Sequence, residues 1–436
     1  MIKKALLEKI NDKSAVVCVA GLGYVGLPFA VEQAKAGYTV IGMDKSEDAA
    51  SKINSGVNYI ADVDDGELKK VVDAGKLKAV TSFEAAGDFD ILVIAVPTPL
   101  TKNLTPDLFF IETVTREFAP HIKRGQFISL ESTTYPGTTE EVMLPILEKS
   151  GLKVEKDFFL AHSPERVDPG NAVYSTKNTT KVVGGVGPES IEVAMAFYSQ
   201  TISEMVPVSS AKAAELVKVF ENTFRAVNIA LVNEMTYLCD RMDLNVWEVL
   251  DAAFTKPFGI MPFYPGPGVG GHCIPLDPHY LEWKAKEVNF TTRFISLAGE
   301  TNRRMPEFVL TKMNRILNEQ GIALSRAKVL ALGASYKKDV NDCRESPAIT
   351  VMQLIKKSGT DLCYHDPYVP DISPYSNLDM KSVPLTPETI KAQDVIIILT
   401  AHSDIDYDAL CANAKCVFDT RNATKNVKDK SNIILL

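Results

Sequence analysis

The stretch AVVCVAGLGYVG, residues 15–26, decides the fold of this chain. A run of apolar, β-prone residues leads directly into three spaced glycines, and a helix-like run follows them. In such a unit the first glycine permits a tight turn, the second lets the backbone approach a pyrophosphate, and the third lets helix and strand pack closely. The helix N-terminus also favours a diphosphate. The stretch therefore predicts a dinucleotide-binding βαβ unit, with a chance turn as the alternative. The expected cofactor contacts in it are Gly21, Gly23, Tyr24, Val25 and Gly26.

Asp44 indicates which dinucleotide is bound. It ends the next predicted strand, 18 residues after Gly26, where a carboxylate can accept hydrogen bonds from both ribose hydroxyls. The same charge would repel a 2′-phosphate, so we expect NAD rather than NADP. The loops AVPTP, with Thr98, and ESTTYPG, with Glu131 and Thr134, follow later strands at the same sheet edge. We expect both loops to line the cofactor, although prolines at strand ends can be purely structural.

The glycine-rich unit belongs to a larger alternation of strands and helices, which recurs in the last third of the chain. This pattern predicts an α/β fold with two doubly wound, Rossmann-like domains joined by a long central helix. In both halves an aspartate ends the second strand. The predicted strands are 15–20, 39–44, 90–96 and 126–130 in the first half, and 328–332, 361–366, 394–400 and 415–419 in the last third.

Residues 209–242 carry apolar side chains three and four apart, without an internal Pro or Gly. This spacing predicts a helix of about 30 residues with one buried stripe. So long a connector would form a spine between domains or a dimer core, and we expect a homodimer through it. The stripe positions are Val217, Phe220, Phe224, Val227, Leu231, Met235 and Leu238.

Residues 255–283 follow the predicted helix and are so dense in Pro and Gly that we expect no regular structure there. Loops with so many fixed turns usually shape a functional site, and a structural linker is the alternative. The length of 436 residues requires more than one core. We expect three domains: an NAD-binding Rossmann domain over 1–205, a central helical domain with this loop over 206–305, and a Rossmann-like domain over 306–436.

Composition excludes several classes of protein. The net charge of −8 provides no basic surface for nucleic acid or an anionic membrane. No apolar run approaches the ~20 residues of a membrane span, so we expect a cytoplasmic protein without nucleic-acid or membrane partners. The seven cysteines are scattered, without the spacing of a zinc site. We therefore expect no disulfides and no metal, and we interpret most of these thiols as small buried hydrophobic side chains.

Six motifs, in order, make the sequence similar to the UDP-glucose/GDP-mannose dehydrogenase family over essentially its whole length. They are GLGYVGLP, AVPTPL, SPERVDPGN, AELVKVFENTFRAVNIALVNE, GPGVGGHCIPLDPHYL and YKKDVNDCRESPA. The resemblance implies an NAD-dependent, four-electron oxidation of a sugar CH2OH to a carboxylate for surface polysaccharide synthesis, with a UDP-sugar bound by the C-terminal domain. The segments PGPGVGGHCIP and TKPFGIMPFYPGPG resemble the N-acetylhexosamine branch, and most of all UDP-N-acetylglucosamine 6-dehydrogenases. UDP-N-acetylmannosamine, UDP-glucose and GDP-mannose are the alternative substrates.

The second oxidation explains why a thiol is needed. A thiolate adds to the aldehyde as a thiohemiacetal, whose oxidation gives a thioester that water hydrolyses. Cys273, between Gly270, Gly271 and Pro275, matches the family's nucleophile, and a buried structural cysteine is the alternative. Asp277 matches the carboxylate that positions or activates water. Its alternative role is that of a turn-forming residue.

The resemblance also assigns residues around this chemistry. Lys218 and Asn222 lie four apart on the predicted long helix and match the pair that stabilises the oxyanion, with an exposed lysine as the alternative. Glu165 matches the glutamate that handles water in thioester hydrolysis, and Thr134 joins this catalytic group. Arg166 replaces an apolar residue of the glucose-type enzymes, is followed by Asp168 and suggests a differently shaped sugar pocket.

Basic side chains in the rest of the chain are expected at the ligands. By resemblance, Lys337 reaches the substrate and Arg344 the nicotinamide cofactor, since arginine favours forked contacts with oxyanions. Arg421 is a further candidate for the nucleotide. Lys256 falls near the place of a basic residue that a partner subunit supplies in glucose-type members, although it could equally be a helix-end lysine. The expected substrate contacts are Glu165, Arg166, Lys218, Asn222, Lys256, Phe263, Tyr264, Gly266, Gly270, Lys337 and Arg421.

Two other functional classes share this domain plan. A two-electron hydroxyacid- or phosphogluconate-type dehydrogenase needs no thiol and releases one NADH per substrate instead of two. A non-catalytic nucleotide-sugar sensor needs no catalytic set at all, and the presence of Lys218, Asn222, Cys273 and Asp277 together argues against it.

Overall fold

The computed structural model describes residues 1–60, 62–167, 173–174, 176–271 and 273–436. The chain separates into two compact units. The first consists of Met1–Glu221 and His279–Phe290, and the second of Asn222–Pro278 and Thr291–Leu436. Each unit contains a largely parallel sheet with helices, which confirms the predicted α/β class.

The sheet of the first unit has eight strands in the order β3-β2-β1-β4-β5-β6-β7-β8. All neighbours are parallel except β6 and β7. The order 3-2-1-4-5-6 is that of dinucleotide-binding domains, which bind ligands where the strand order reverses, at the carboxyl ends of β1 and β4. The strands are β1 (Val16–Ala20), β2 (Thr39–Met43), β3 (Leu77–Val80), β4 (Ile91–Ile94), β5 (Phe127–Leu130), β6 (Phe159–His162), β7 (Lys181–Gly185) and β8 (Met205–Val208).

Two hydrophobic cores enclose this sheet, one on each face. Along β1, Val17 and Val19 join one core, and Cys18 and Ala20 join the other. This alternation follows from the two-residue period of a strand. The helices of the unit, apart from the long central one, are Ile2–Asn11, Gly26–Lys35, Glu47–Asn54, Asp65–Asp73, Phe83–Ala86, Phe109–Phe118, Leu144–Leu147, Pro188–Tyr198 and most of Asp277–Glu287, with a π-helix at Thr138–Met143 and short 3-10 turns at Ala119–His121 and Glu148–Ser150.

The second unit has a five-stranded, all-parallel sheet in the order β10-β9-β11-β12-β13. This is a second doubly wound order, so the prediction of two such sheets is confirmed. The strands are β9 (Lys328–Leu332), β10 (Asp361–His365), β11 (Val395–Ile398), β12 (Val417–Asp419) and β13 (Ile433–Leu435). The helices are Val246–Ala253, Arg293–Glu319, Pro347–Lys357, Pro387–Lys391 and Tyr407–Asn413, with short 3-10 turns at Leu324–Arg326 and Ser373–Tyr375.

The long helix, Ala211–Arg241, has 31 residues, as its sequence predicts, and it begins in the first unit and ends in the second. The predicted buried stripe is wrong. Phe220 is 61% exposed and Leu231 58% exposed. The buried side of the helix instead carries many small side chains and side chains that form hydrogen bonds. A search for large apolar residues at helical spacing does not find such a face. Of the other stripe positions, Phe224 and Leu238 are exposed and Val217, Val227 and Met235 are half-buried, whereas the buried positions include Ala214, Glu215, Lys218, Asn222, Ala226, Ala230 and Asn233.

A second prediction also needs correction. In the segment 255–283, the described residues before Asp277 are irregular, but the helix Asp277–Glu287 begins inside the segment. Pro278 lies in the first turn of this helix, where its missing N–H has no intrahelical partner to lose. The Asp277 carboxylate also suits a helix N-terminus.

Three further features concern the described residues. None of their helices combines the length and apolarity needed to cross a membrane. No group of three or more His, Cys, Asp or Glu side chains among them is arranged to hold a metal ion. The seven cysteines are unbridged; five are buried, Cys363 is half-buried and Cys273 is exposed.

Candidate functional site

The glycine turn after β1 is built as the sequence predicts. Gly21 has a φ of +92°, and a β-carbon there would lie 2.5 Å from the Ala95 carbonyl oxygen. A β-carbon on Gly26 would lie 1.8 Å from the Gly21 carbonyl oxygen. At Gly23, by contrast, a β-carbon would meet no atom within 4 Å. The fold therefore requires Gly21 and Gly26, whereas Gly23 leaves the backbone open to a ligand beside the helix Gly26–Lys35.

Asp44 lies directly after β2, beside this turn. Its Oδ2 accepts a hydrogen bond from the Leu22 N–H at 2.9 Å, and its Oδ1 accepts one from the Ser46 N–H at 2.9 Å. Tyr59 donates its hydroxyl hydrogen to the Leu22 carbonyl at 2.7 Å. Because a carboxylate has about four acceptor positions, Asp44 retains capacity for ribose hydroxyls. The turn and this carboxylate together fit NAD.

The loops after β4 and β5 lie at the same edge of the sheet. The Thr98 carbonyl accepts a hydrogen bond from the Tyr280 hydroxyl. Thr134 is buried and shares a 2.6 Å hydrogen bond with the Thr138 hydroxyl. Tyr24, on the glycine turn, is largely exposed. These positions are compatible with cofactor contacts at the carboxyl edge, where doubly wound sheets bind their ligands.

A buried lysine that sequence reasoning missed lies between two predicted site residues. The Lys181 Nζ is 3.4 Å from the Glu131 Oε2 and 3.4 Å from the Glu165 Oε2. The Tyr198 hydroxyl also donates to the Glu131 Oε1 at 2.8 Å. Both carboxylate oxygens of Glu131 thus have partners inside the unit. Any influence of Glu131 on a cofactor would be indirect, through the position of the ESTTYPG loop that begins with it. The one signal in the sequence is a single lysine at the start of the apolar run KVVGG.

The two carboxylates around Lys181 differ in their pKa. Burial raises the pKa of Glu131 to about 7, against the opposing attraction of the Lys181 ammonium. Burial would also raise the pKa of Glu165, but the Lys181 ammonium and the backbone N–H groups of Arg166 and Val167 outweigh it, so this pKa falls below its ordinary value. Glu165 is thus held as a carboxylate, the form that a general base needs.

Arg166 is used within the first unit. Its Nη2 lies 2.6 Å from the Glu221 Oε1, and its Nη1 donates to the Thr180 carbonyl at 2.7 Å. The guanidinium thus fastens the SPER loop to the long helix, and a sugar contact would have to compete with Glu221. Lys218 is buried one turn earlier on that helix, and its charge also lowers the pKa of Glu165. Asp168 and the rest of the motif through Asn171 lie outside the described residues.

Glu215 is a second group that the sequence did not single out. It accepts hydrogen bonds from the Gly137 N–H, from the Thr139 N–H at 2.8 Å and from the Thr139 hydroxyl at 2.7 Å. Burial raises the pKa of Glu215 to about 7. This carboxylate ties the ESTTYPG loop to the beginning of the long helix, one turn before Lys218.

Three of the predicted catalytic residues meet in the second unit. The Asn222 Nδ2 donates to the Asp277 Oδ2 at 2.5 Å. The Asp277 N–H donates to the Cys273 carbonyl at 2.8 Å, so the turn that carries the thiol runs directly into the helix Asp277–Glu287. Cys273 is exposed rather than buried, which argues against the structural alternative. Its neighbour His272 lies outside the described residues. Lys218, Glu165 and Thr134 belong to the first unit.

The loop before Cys273 is pressed against the start of the helix Pro347–Lys357. A β-carbon on Gly268, which has a φ of +139°, would lie 2.9 Å from the Pro347 Cβ. A β-carbon on Gly270 would lie 2.8 Å from the Pro347 Cδ and 2.8 Å from the Tyr336 Cβ. Only glycine allows the backbone to pass so close. Gly270, predicted as a substrate contact, thus has a packing role as well.

Arg421 supports the other side of the same loop. Its Nε donates to the Leu399 carbonyl at 2.8 Å, and a β-carbon on Gly266 would lie 2.4 Å from its Nη1. Burial lowers the pKa of Arg421 to about 10. At neutral pH the guanidinium is still charged, and its planar set of N–H donors suits a diphosphate, so the predicted nucleotide contact stays a prediction.

The remaining predicted contacts of the second unit have protein partners too. Arg344 pairs with Asp342, its Nη2 lying 2.6 Å from the carboxylate. Lys256 lies 4.8 Å from the centre of the Phe258 ring. Phe263 packs edge-on against Phe224, Tyr264 donates its hydroxyl hydrogen to Asp251 at 2.9 Å, and Lys337 is half-buried in the loop after β9. Their contacts with substrate or cofactor stay predictions.

The aspartate after β10 differs from Asp44. The Asp366 carboxylate accepts backbone hydrogen bonds from Ala334, Tyr368 and Val369, and its Oδ2 lies 3.0 Å from the His402 Nε2. Its acceptor positions are used to shape the loops of the second sheet. The two halves therefore share the position of this aspartate but not its role. Asp366 does not provide free acceptor positions for ribose hydroxyls, as Asp44 does.

Comparison with known sequences adds three findings. Models of the UDP-glucose/GDP-mannose dehydrogenase family match its NAD binding domain at residues 15–202, its central domain at 212–304 and its UDP binding domain at 330–426. A UDP-N-acetyl-D-mannosamine dehydrogenase of Pyrococcus horikoshii is 35% identical over 415 residues, covering 94% of this chain and 96% of the relative. A UDP-N-acetyl-D-glucosamine 6-dehydrogenase of Pseudomonas aeruginosa is 34% identical over 394 residues, covering 90% and 92%.

The fold has a similar solved counterpart. The structure of a UDP-N-acetylmannosamine dehydrogenase from Pyrococcus horikoshii superposes with a TM-score of 0.88 at 33% identity, covering 96% of this chain and 98% of that one.

Proposed function

Since the chain belongs to the UDP-glucose/GDP-mannose dehydrogenase family and is an NAD-dependent nucleotide-sugar dehydrogenase, we propose that it oxidises C6 of a UDP-N-acetylhexosamine to the uronate through a thioester on Cys273. The observation that carries the proposal is the direct connection of Asn222, Asp277 and the exposed Cys273 in one unit. The domain division 1–205, 206–305 and 306–436 is part of the proposal and agrees in outline with the three matched segments.

The chemistry assigns a role to each group. When bound, NAD accepts a hydride from C6 in each of two oxidations. The Cys273 thiolate adds to the aldehyde carbon between them, forming a C–S bond, and the second oxidation turns this adduct into a thioester. Water then attacks the thioester carbonyl, the C–S bond breaks, and the thiolate leaves with the uronate as product. One sugar, two NAD and one water thus give one carboxylate, two NADH and three protons.

The polar side chains serve the hydrolytic half of this sequence. Lys218 and Asn222 donate hydrogen bonds to the oxyanion that forms at C6. Asp277, oriented by the Asn222 amide, accepts a proton from the attacking water. Glu165 is kept anionic by Lys181 and is the second acceptor for such a proton.

The sugar is the finer part of the proposal. The segment TKPFGIMPFYPGPG, residues 255–268, favours UDP-N-acetylglucosamine by resemblance. UDP-N-acetylmannosamine is the second candidate, and the relatives favour it: the UDP-N-acetyl-D-mannosamine dehydrogenase of Pyrococcus horikoshii is 35% identical over 94% of this chain, against 34% over 90% for the UDP-N-acetyl-D-glucosamine 6-dehydrogenase of Pseudomonas aeruginosa. NADH release measured with UDP-N-acetylglucosamine, UDP-N-acetylmannosamine, UDP-N-acetylgalactosamine, UDP-glucose and GDP-mannose decides between them. No turnover of any UDP-hexosamine would overturn the substrate class.

The covalent step has its own test. We expect Cys273→Ser to lose acid formation by at least about a thousandfold and to keep wild-type NAD affinity, because the glycine turn belongs to the other unit. Product analysis by mass spectrometry and NAD titration by fluorescence measure the two properties. Full acid production by the serine variant would remove the thioester from the mechanism, and one NADH per sugar in the wild type would indicate a two-electron dehydrogenase.

A further inference from the structure

A chain of three hydrogen bonds crosses the interior of the second unit and ends at the loop before Cys273. The Gly266 N–H donates to the Asn233 Oδ1 at 3.2 Å. The Asn233 Nδ2 donates to the Asn302 Oδ1 at 2.9 Å, and the Asn302 Nδ2 donates to the Ala226 carbonyl at 3.1 Å. All four residues are buried, and Asn233 has no exposed surface.

The ends of this chain fix its direction. Gly266 contributes a backbone N–H, which can only donate, and Ala226 contributes a backbone carbonyl, which can only accept. Each residue between them must therefore accept on one side and donate on the other. An asparagine amide does this with one oxygen and one NH2 group, whereas a carboxylate has no hydrogen to pass on. Because these residues are buried, a donor or acceptor left without a hydrogen-bond partner here would lower the stability of the folded state.

The loop held by this chain is the one that leads to the thiol. Gly266 lies seven residues before Cys273, at the entry of the turn Pro265–Gly271. The Asn302 backbone also borders the loop, since a β-carbon on Gly268 would lie 3.6 Å from the Asn302 carbonyl oxygen. The loop is thus attached through side chains to two helices, Ala211–Arg241 and Arg293–Glu319.

We propose that Asn233 and Asn302 are positioning residues that fix the loop Pro265–Gly271, and through it the Cys273 thiol, by means of this directional chain of hydrogen bonds. The proposal rests on the proposed function only for the role of Cys273. Neither asparagine touches substrate; both act through the backbone of Gly266. A displacement of a reacting group by about 1 Å is enough to slow catalysis about a hundredfold.

Two nearly isosteric variants test the proposal. Asn233→Asp places a carboxylate oxygen against the Asn302 Oδ1, and Asn302→Asp places one against the Ala226 carbonyl. In both variants we expect kcat for NADH formation to fall at least about tenfold while NAD affinity stays within twofold, because the cofactor turn lies in the first unit. We also expect faster amide hydrogen exchange in peptides spanning 264–277 in the folded, substrate-free protein.

The matched control is Asn228→Asp on the same helix. The Asn228 Nδ2 donates to the Phe224 carbonyl at 2.7 Å, so this variant also loses an amide-to-carbonyl bond but leaves the loop alone, and we expect wild-type kcat and loop exchange. If the buried aspartates prevent folding, Asn302→Ser removes both side-chain bonds without adding charge and is measured instead.

The outcomes separate the two proposals. Wild-type kcat in a folded Asn233 or Asn302 variant, or a lower melting temperature without faster exchange in 264–277, would reduce both asparagines to ordinary core residues. The exchange measurement needs no chemistry, so it can support the positioning role even if Cys273→Ser still makes acid. Conversely, an inactive Cys273→Ser beside fully active asparagine variants overturns only the positioning role.

Discussion

At the scale of single residues, Lys181 determines the charge state of the buried acidic cluster. Its ammonium is 3.4 Å from each of two carboxylates, and each attraction amounts to about 5 kcal/mol at an effective dielectric constant of about 20. Removing an ion from water costs several kcal/mol, so one ammonium can offset one buried carboxylate but not two. The N–H groups of Arg166 and Val167 and the charge of Lys218 decide between the two, because they stabilise only the Glu165 carboxylate; its pKa is therefore lowered, while burial raises that of Glu131 to about 7.

The variant Lys181→Met should therefore change the pH dependence of the reaction. Without the ammonium the pKa of Glu165 rises, so its basic form is lost at higher pH than in the wild type. We expect NADH formation to fall more at pH 6 than at pH 9, with the acidic limb of the profile displaced upward. Lys181→Arg keeps the charge and should keep the wild-type profile. An unchanged acidic limb in folded Lys181→Met would show that Glu165 is not an essential base.

The limits of sequence reasoning are visible in these residues. The sequence predicts Cys273, Asp277 and Asn222 as catalytic residues because short motifs contain them. Lys181 and Glu215 were missed because their partners are distant in sequence: Glu215 binds Thr139, 76 residues away. A lone charged residue in an apolar run indicates nothing about its partner until the sheet has brought the two together.

At the scale of elements, the sequence predicts that the glycine loop before Cys273 shapes a site, but it does not predict how this loop packs. The sequence indicates that Gly268 allows a turn; only the structure shows that Pro347 occupies the space that a β-carbon on Gly268 would need. Strands gave a similar result. The sequence predicts β1, β2, β4 and β5, which are apolar runs between turns. It does not predict β3, whose sequence LKAV includes a lysine, or β6, β7 and β8.

The loop offers a matched pair of substitutions. Gly268→Ala and Gly259→Ala both place a β-carbon at positive φ, which costs about 1 kcal/mol or more. Only at Gly268 does that carbon also meet a neighbour, since nothing lies within 4 Å of it at Gly259. We expect Gly268→Ala to lower the melting temperature by several degrees more than Gly259→Ala and to slow NADH formation at least about tenfold. Equal effects of the two alanines would mean that the loop readily yields to Pro347.

At the scale of the whole molecule, the exposed stripe of the long helix is the feature that the chain alone does not explain. Its large apolar side chains, Phe220, Phe224, Leu231 and Leu238 among them, line up at helical spacing and are 41–61% exposed. Contiguous apolar surface of this kind usually marks a protein–protein interface. We propose that it forms the core of a homodimer with two-fold symmetry, in which the stripe of one copy packs on that of the other.

A charged double variant tests this assembly. Phe220→Arg with Leu231→Arg should convert the dimer to a monomer at micromolar concentration, because four like charges would meet across the two-fold axis. Val57→Arg, at a 50% exposed valine that is not part of the helix, should leave the dimer intact. Light scattering after size-exclusion chromatography measures the mass. A wild-type protein that is already monomeric, or a double variant that stays dimeric, would place the interface elsewhere or remove it.

The open backbone at Gly23 has a consequence for how variants of this enzyme should be screened. Since a methyl group there would strike nothing in the folded chain, a selection for yield or heat resistance would accept alanine at this position as harmless. We expect the defect to appear only in NAD binding, where the added methyl group would occupy the space predicted for the dinucleotide. Of the three glycines of the turn, Gly21 and Gly26 are therefore needed for folding, whereas Gly23 is needed only to keep open the space predicted for the cofactor.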